Sequence, residues 1–188
     1  MVSLAQLWLP ILLGAVGAFI ASSILHMMLK FWHRPDYHGF SNEDEVRGAI
    51  NKGKPQPGLY ILPYCLPEQM KDPAAIAKFA EGPVGFMILR RAGMPGIGKS
   101  LGLWFGFCLL VAIFAAYLAG ASLPAGAMPG QVFRLAATSA FMAFSFGSLP
   151  QAIWWGNPLR ATLKDMIDGL VYALIVGAVL AYMWPHAA

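Results

Sequence analysis

The sequence predicts an all-α membrane fold, a bundle of four transmembrane helices carrying a small α+β insertion between the first and second. Three observations lead there. Of 188 residues, 58% are apolar and only 12% are charged, about half the charged share of a soluble domain. Four stretches are long and charge-poor enough to cross roughly 30 Å of hydrocarbon. Ten of the 13 Lys and Arg residues fall between Lys30 and Lys99, so the charge is gathered into one segment. A chain this small cannot hide that much apolar surface from water. A soluble enzyme, a disordered chain and a disulfide scaffold are therefore excluded.

The first helix is expected at 4–32, free of charge from Leu4 to Leu29 except for His26. No Lys or Arg precedes residue 30, whereas a secretory leader needs a basic start and a shorter apolar core. It reads as a retained anchor. The second helix is expected at 100–121, the third at 131–155 with Arg134 near its start, and the fourth at 165–185. Pro150 removes an N–H and crowds the preceding turn, which predicts a kink or an end in the third helix. Arg134, one turn from an edge, is expected either to snorkel to the interface or to point into the bundle.

Basic residues beside span ends favour the cytoplasmic side. Lys30, Arg34, Arg90, Arg91 and Lys99 flank the insertion, Arg160 and Lys164 lie between the third and fourth spans, and the Ser122–Gly130 connection has no basic residue. The expected location is a bacterial inner membrane, with residues 33–99 cytoplasmic and both termini periplasmic. Trp8, Tyr117, Tyr182 and Trp184 would then mark the outer interface, and Trp32, Trp104, Trp154 and Trp155 the inner one. Cys65 and Cys108 fall in a reducing space and in lipid, so no disulfide is expected. Asp165 and Asp168 are read as acids favoured by the positive end of the fourth helix, with no acid deeper in a span. That absence argues against a proton-coupled carrier.

Lipid removes the hydrophobic incentive for helix pairing, leaving close approach through small residues spaced four apart. The rows are Gly14, Ala18 and Ser22 in the first span; Ala112, Ala116 and Gly120 in the second; Ser139, Ala143 and Gly147 in the third; and Gly169, Ala173, Gly177 and Ala181 in the fourth. They serve packing within the bundle or docking of another subunit.

Within residues 33–99, Ser41 and Asp44 open a helix that Gly53 stops, and Leu59–Tyr64 reads as a strand. Asp72 and Pro73 open a second helix through Ala80, and Val84–Leu89 reads as a second strand. A unit this small leans on the membrane or on a partner.

The run Gly93–Ser100 satisfies the P-loop pattern G-x-x-x-x-G-K-[ST]. About 60 flanking residues cannot supply the parallel sheet and acidic partner that phosphate chemistry needs. No nucleotide is expected, nor nucleic acid; Arg90, Arg91 and Lys99 are assigned to lipid headgroups. His26, His33, Asp36 and His38 are metal-ligand types. On a continuous helix, His26 and His33 stand about 10.5 Å apart along the axis, too far for one metal. Pro35 ends that helix and leaves His33, Asp36 and His38 as a three-ligand metal candidate, the alternative being histidines that bond only water and headgroups. His26 is also a candidate axial haem ligand. Neither a nucleophile elbow nor a cysteine with a positioned histidine is present.

The runs Ser22–Met27, Gly82–Gly85 and Asp168–Ala173, in this order among four spans, resemble a group of small bacterial four-span membrane proteins with no assigned activity. The resemblance implies the fold and brings no cofactor or site residue. The function expected from the residues is a non-catalytic inner-membrane protein, an accessory or assembly subunit of a larger complex. Its expected partners are membrane lipids and other membrane subunits, and no cofactor is expected. A metal- or haem-dependent membrane redox enzyme using His26, His33, Asp36 and His38, and a binder of lipid or another hydrophobic ligand, are the alternatives.

Overall fold

The computed structural model describes residues 1–94 and 96–186; Pro95, inside the Gly93–Ser100 run, lies outside the described residues. The chain divides into two units. The first comprises Met1–Tyr37, Gly96–Ala152 and the chain from Asn157, and the second runs from His38 to Met94 with Ile153–Gly156.

In the helical unit, four helices are long and apolar enough to cross a membrane: Trp8–Met28, Ile97–Ser122, Pro129–Trp155 and Leu159–Tyr182. The first is α1 (Trp8–Ser23) continued by a π-helical turn, Ile24–Met28, and followed by the short α2 (Lys30–His33) and a 3-10 turn, Arg34–Asp36. The others are α5 (Ile97–Ser122), α6 (Pro129–Ser145) with α7 (Ser148–Trp155), and α8 (Leu159–Tyr182). Helices α1 and α6 each pack against both α5 and α8, closing a four-membered ring. Val2 N–H donates to Gly120 O and Gly126 N–H to Pro185 O. These bonds gather the start of α1 and the ends of α5 and α8 at one pole.

Small residues set the helix spacing. Gly14, Ala18, Ser22, Ala112, Ala116, Gly120, Gly169, Ala173, Gly177 and Ala181 are all buried. A Cβ on Gly17 would meet Ile175 Cγ2 at 2.7 Å, and one on Gly177 would meet Ala137 Cβ at 2.7 Å and its backbone N at 3.0 Å. The third row departs from expectation. Ala143 and Gly147 are exposed and Ser139 only half-buried, while Val132, Ala136, Ala137, Ala140 and Ser145 are buried. Small-residue spacing marks a face that permits close approach, and α6 carries two such faces. The one that meets α8 holds Ala137 and Ser145, and Val132 is buried in the same core. Gly177→Ala is therefore expected to cost about 1–3 kcal/mol through overpacking, read as thermal unfolding in detergent. Gly106→Ala, with nothing within 4 Å, should leave stability level or slightly higher.

The third span breaks upstream of its proline. Helix α6 ends at Ser145 and Pro150 stands in the first turn of α7. The ring of Pro150 would crowd the Phe146 carbonyl in a continuous helix, so the break falls at Phe146–Gly147. A missing N–H in a first turn leaves no internal bond unmade. Arg134 is exposed.

Three of the tryptophans expected at interfaces donate to acceptors within the helical unit. Trp184 Nε1–H donates to Pro124 O at 3.0 Å, Trp104 to Ser22 Oγ at 2.7 Å and Trp32 to Asp168 Oδ1 at 2.8 Å. A buried indole N–H takes a partner where one is in reach.

The second unit has the expected helix–strand–helix–strand order. Helix α3 (Glu43–Lys52) starts one residue after Asn42 with three acids in its first turn. Strand β1 (Gly58–Leu62) pairs antiparallel with β2 (Gly85–Leu89), Tyr60 opposite Met87. Helix α4 (Pro73–Glu81) lies between them in sequence, with Asp72 at its N-cap and Gly82, at φ +67°, ending it. Phe86 packs against Trp155 at 4.9 Å between ring centroids. Arg90 and Arg91 are exposed at the end of β2; Lys99, in the helical unit, is exposed in the first turn of α5.

Candidate functional site

The site lies in the helical unit where α1 unwinds opposite the start of α8. Ser22 and Ser23 hydroxyls both donate to the Phe19 carbonyl, at 2.8 and 3.0 Å. Such back-bonding loosens the helical ladder. Beyond it, Leu29 N–H reaches Ile24 O, one residue further than an α-helix allows, and Leu29 leaves helical space at φ −84°, ψ 69°. Single π turns inside α-helices concentrate at functional sites.

This distortion overturns the expectation that His26 and His33 stand a full 10.5 Å apart. Their rings stack, with centroids 4.2 Å apart and planes 10° from parallel. The expectation assumed an unbroken helix, and the π turn plus the break at Leu29 folds the two imidazoles onto one another.

Both imidazoles turn toward Asp168. His33 Nε2 lies 2.6 Å from Asp168 Oδ2 and His26 Nε2 lies 3.3 Å from the same oxygen. The other carboxylate oxygen accepts from Trp32 Nε1–H, which fixes the plane of the carboxylate. Asp168 is only 2% exposed. The reading of Asp168 as a helix-end acid is therefore corrected: α8 starts at Leu159, so Asp168 stands more than two turns in, facing the bundle. An acid does lie within a span, and the argument drawn from its absence lapses.

A second layer holds the first. Lys164, one turn before Asp168 on α8, donates to both oxygens of Asp36 at 2.7 Å and to the Trp32 carbonyl at 2.5 Å. The Trp32 ring lies 5.6 Å from the Lys164 ammonium. Asp36 Oδ2 in turn lies 3.8 Å from His33 Nδ1. Beneath the cluster, Trp104, Phe144 and Tyr172 pack edge-on and tilted at 5.5–6.3 Å. Tyr172, one turn beyond Asp168, keeps its hydroxyl buried without a partner among the described residues.

Of the three metal candidates of the sequence, two meet in the helical unit. His33 and Asp36 are adjacent, but Asp36 is taken up by Lys164, and His38 falls in the second unit, exposed. The donors that converge are His26, His33 and Asp168, one atom from each within 4.8 Å of the others. The site's dependence on Asp168, Lys164 and Trp32 is hidden in the sequence because Trp32 lies 136 residues from Asp168 and 132 from Lys164. A signal was available: Lys164 and Asp168 are four apart, so two opposite charges share one face of a helix otherwise fit for lipid.

The Lys164 ammonium, hydrogen-bonded to Asp36, holds that carboxyl below the ordinary carboxylate range; Arg160 and His33 add to the pull and burial opposes it. A carboxyl depressed in the folded state contributes stability above its unfolded pKa and loses it as pH falls through the folded one. Unfolding midpoints in detergent should thus hold at neutral pH and fall on the acid side of about pH 4. Asp36→Asn should lack this part of the slope.

No family model, no curated protein and no solved structure matches this chain.

Proposed function

We propose that this chain is an integral membrane protein that binds a divalent transition metal through His26 Nε2, His33 Nε2 and Asp168 Oδ2, with coordination positions left for an exogenous ligand. The observation that carries the reading is the convergence of two imidazoles and a buried carboxylate on one point. Two histidines and one carboxylate with open positions are the donor set of non-haem iron and of catalytic zinc centres. Donors bound to one metal at 2.0–2.2 Å stand roughly 3.0–3.5 Å apart. His26 and Asp168 already have that spacing. On metal binding His33 would withdraw from Asp168 by roughly half an ångström as its proton gives way, and the two near-parallel rings would tilt out of their stack so that both Nε2 lone pairs meet one metal. His33 Nδ1 faces Asp36, the outer carboxylate that metal-bound imidazoles commonly address. A haem on His26 fits less well, because Nε2 faces Asp168 and the ring is covered by His33.

The side of the membrane is part of the proposal. Lys30, Arg34, Arg160 and Lys164 cluster at the pole that holds the site, which supports a cytoplasmic metal centre in a bacterial inner membrane with both termini periplasmic.

Metal analysis of the purified chain after titration with zinc or ferrous iron tests the reading. About one equivalent is expected for the wild type and a loss of at least 100-fold in affinity for His33→Ala, beyond the 10–100-fold typical of outer partners. Substoichiometric uptake by the folded wild type, or uptake indifferent to His33, refutes it.

An accessory-subunit role is a different proposal, favoured by half-buried Ser139 and exposed Ala143 on α6 with exposed Gly147 just beyond its end. Small residues facing lipid do not make a docking site unaided, so the convergent donors carry the functional reading.

A further inference from the structure

Beside the cluster opens a cleft of about 550 Å³ lined by His26, Lys30, His33, Arg34 and Tyr37. Its charge is one-sided. No acid lines it: of the three nearby carboxylates, Asp36 is held by Lys164 and Asp168 by Trp32 and His33, while Asp165, exposed on α8, stands outside the lining. Among the described residues, the Lys30 and Arg34 side chains have no hydrogen-bond or ion-pair partner. They are four apart across the α2–3-10 junction. Tyr37 adds a hydroxyl, 81% exposed as a residue, and His26, its side chain 47% exposed, presents its ring to the same opening.

We infer that this cleft is a binding site for a phosphate group. A guanidinium fork, an ammonium and a phenol give donors from several directions, which suits a tetrahedral oxyanion. An anion here would also sit next to the open side of the His26–His33–Asp168 centre, where one of its oxygens can complete the coordination. To that extent the inference rests on the metal reading; the cationic lining stands without it. The phosphate can belong to a lipid headgroup or to a small soluble phosphate, since the cleft is open and lies at the end of a span.

The test uses the full chain in detergent, loaded with zinc. Calorimetric titration with inorganic phosphate is one arm, and native mass spectrometry with added phosphatidic acid is the other. Saturable binding in either arm is expected, with the double variant Lys30→Gln/Arg34→Gln weakening it by at least tenfold while zinc content stays at the wild-type level. Phosphate binding that phosphatidic acid does not displace assigns a soluble ligand; retention of phosphatidic acid with displacement of phosphate assigns the headgroup. Binding in neither arm, or binding equal in the double variant, overturns the inference and leaves the metal site untouched. Variant-sensitive phosphate binding by a chain that takes up no zinc would overturn the metal reading alone.

Discussion

Replacing Asp168 with asparagine is expected to abolish stoichiometric metal uptake while the protein still folds. The amide keeps the shape of the carboxylate and an oxygen for the Trp32 indole, so the bond at 2.8 Å survives. What disappears is the charge at the point where both imidazoles meet. This separates a metal centre from a purely mechanical tie. If the cluster only fastens α2 to α8, its contribution is stability alone: Asp168→Asn would lower the melting temperature equally with and without zinc, and the wild type would gain nothing from zinc. If it binds metal, ligand-linked stabilisation requires zinc to raise the wild-type melting temperature. The same concentration should leave Asp168→Asn unmoved. Trp32→Phe completes the comparison, since losing one outer hydrogen bond should weaken uptake by about 10–100-fold without abolishing it.

What the residues disclose and what they conceal follow from the range of the forces involved. The spans are legible because bilayer thickness imposes a length and a composition on each of them. Helices α5 and α6–α7 run close to the expected 100–121 and 131–155, whereas α8 starts at Leu159, well before the expected 165, because Arg160, Lys164 and Asp165 break the charge-poor pattern without ending the helix. Helix α4 is legible because Asp72, Pro73 and Gly82 act locally. The departure of α1 from regular helix is not, because Ile24–Met28 continues the apolar pattern save for His26, and the two serines that bond the Phe19 carbonyl just before it give no signal at the level of composition. His26 was visible as a residue type, and its partner Asp168 was visible as an acid. Nothing short-range joins them. Their meeting depends on α1 and α8 packing side by side at Gly14 and Gly17. The outward turn of Ala143 and Gly147 is hidden for a related reason, since small residues mark both the helix faces that pack and some that stay exposed.

Lys164→Met is expected to lower stability more than any lipid-facing substitution, and Lys164→Met combined with Asp36→Asn is expected to recover much of the loss. Lys164 is 6% exposed and its ammonium has three acceptor contacts, two on Asp36 and one on the Trp32 carbonyl. Methionine retains the aliphatic volume and removes the charge, so the loss reports on electrostatics and not on a cavity. Asp36 is then left without its counter-charge next to His33, and an uncompensated carboxylate away from water is costly. Neutralising both partners removes that penalty, which is why the double variant should be the more stable of the two. The metal adds an independent reading. Lys164 touches no proposed ligand atom, but it fixes the Asp36 carboxylate that faces His33 Nδ1 and the backbone that carries Trp32. Zinc affinity should therefore fall by about 10–100-fold in Lys164→Met, as for other outer partners, and stay low in the double variant even as stability returns. A double variant that regains both together would make Lys164 and Asp36 a fastening between helices with no part in orienting His33.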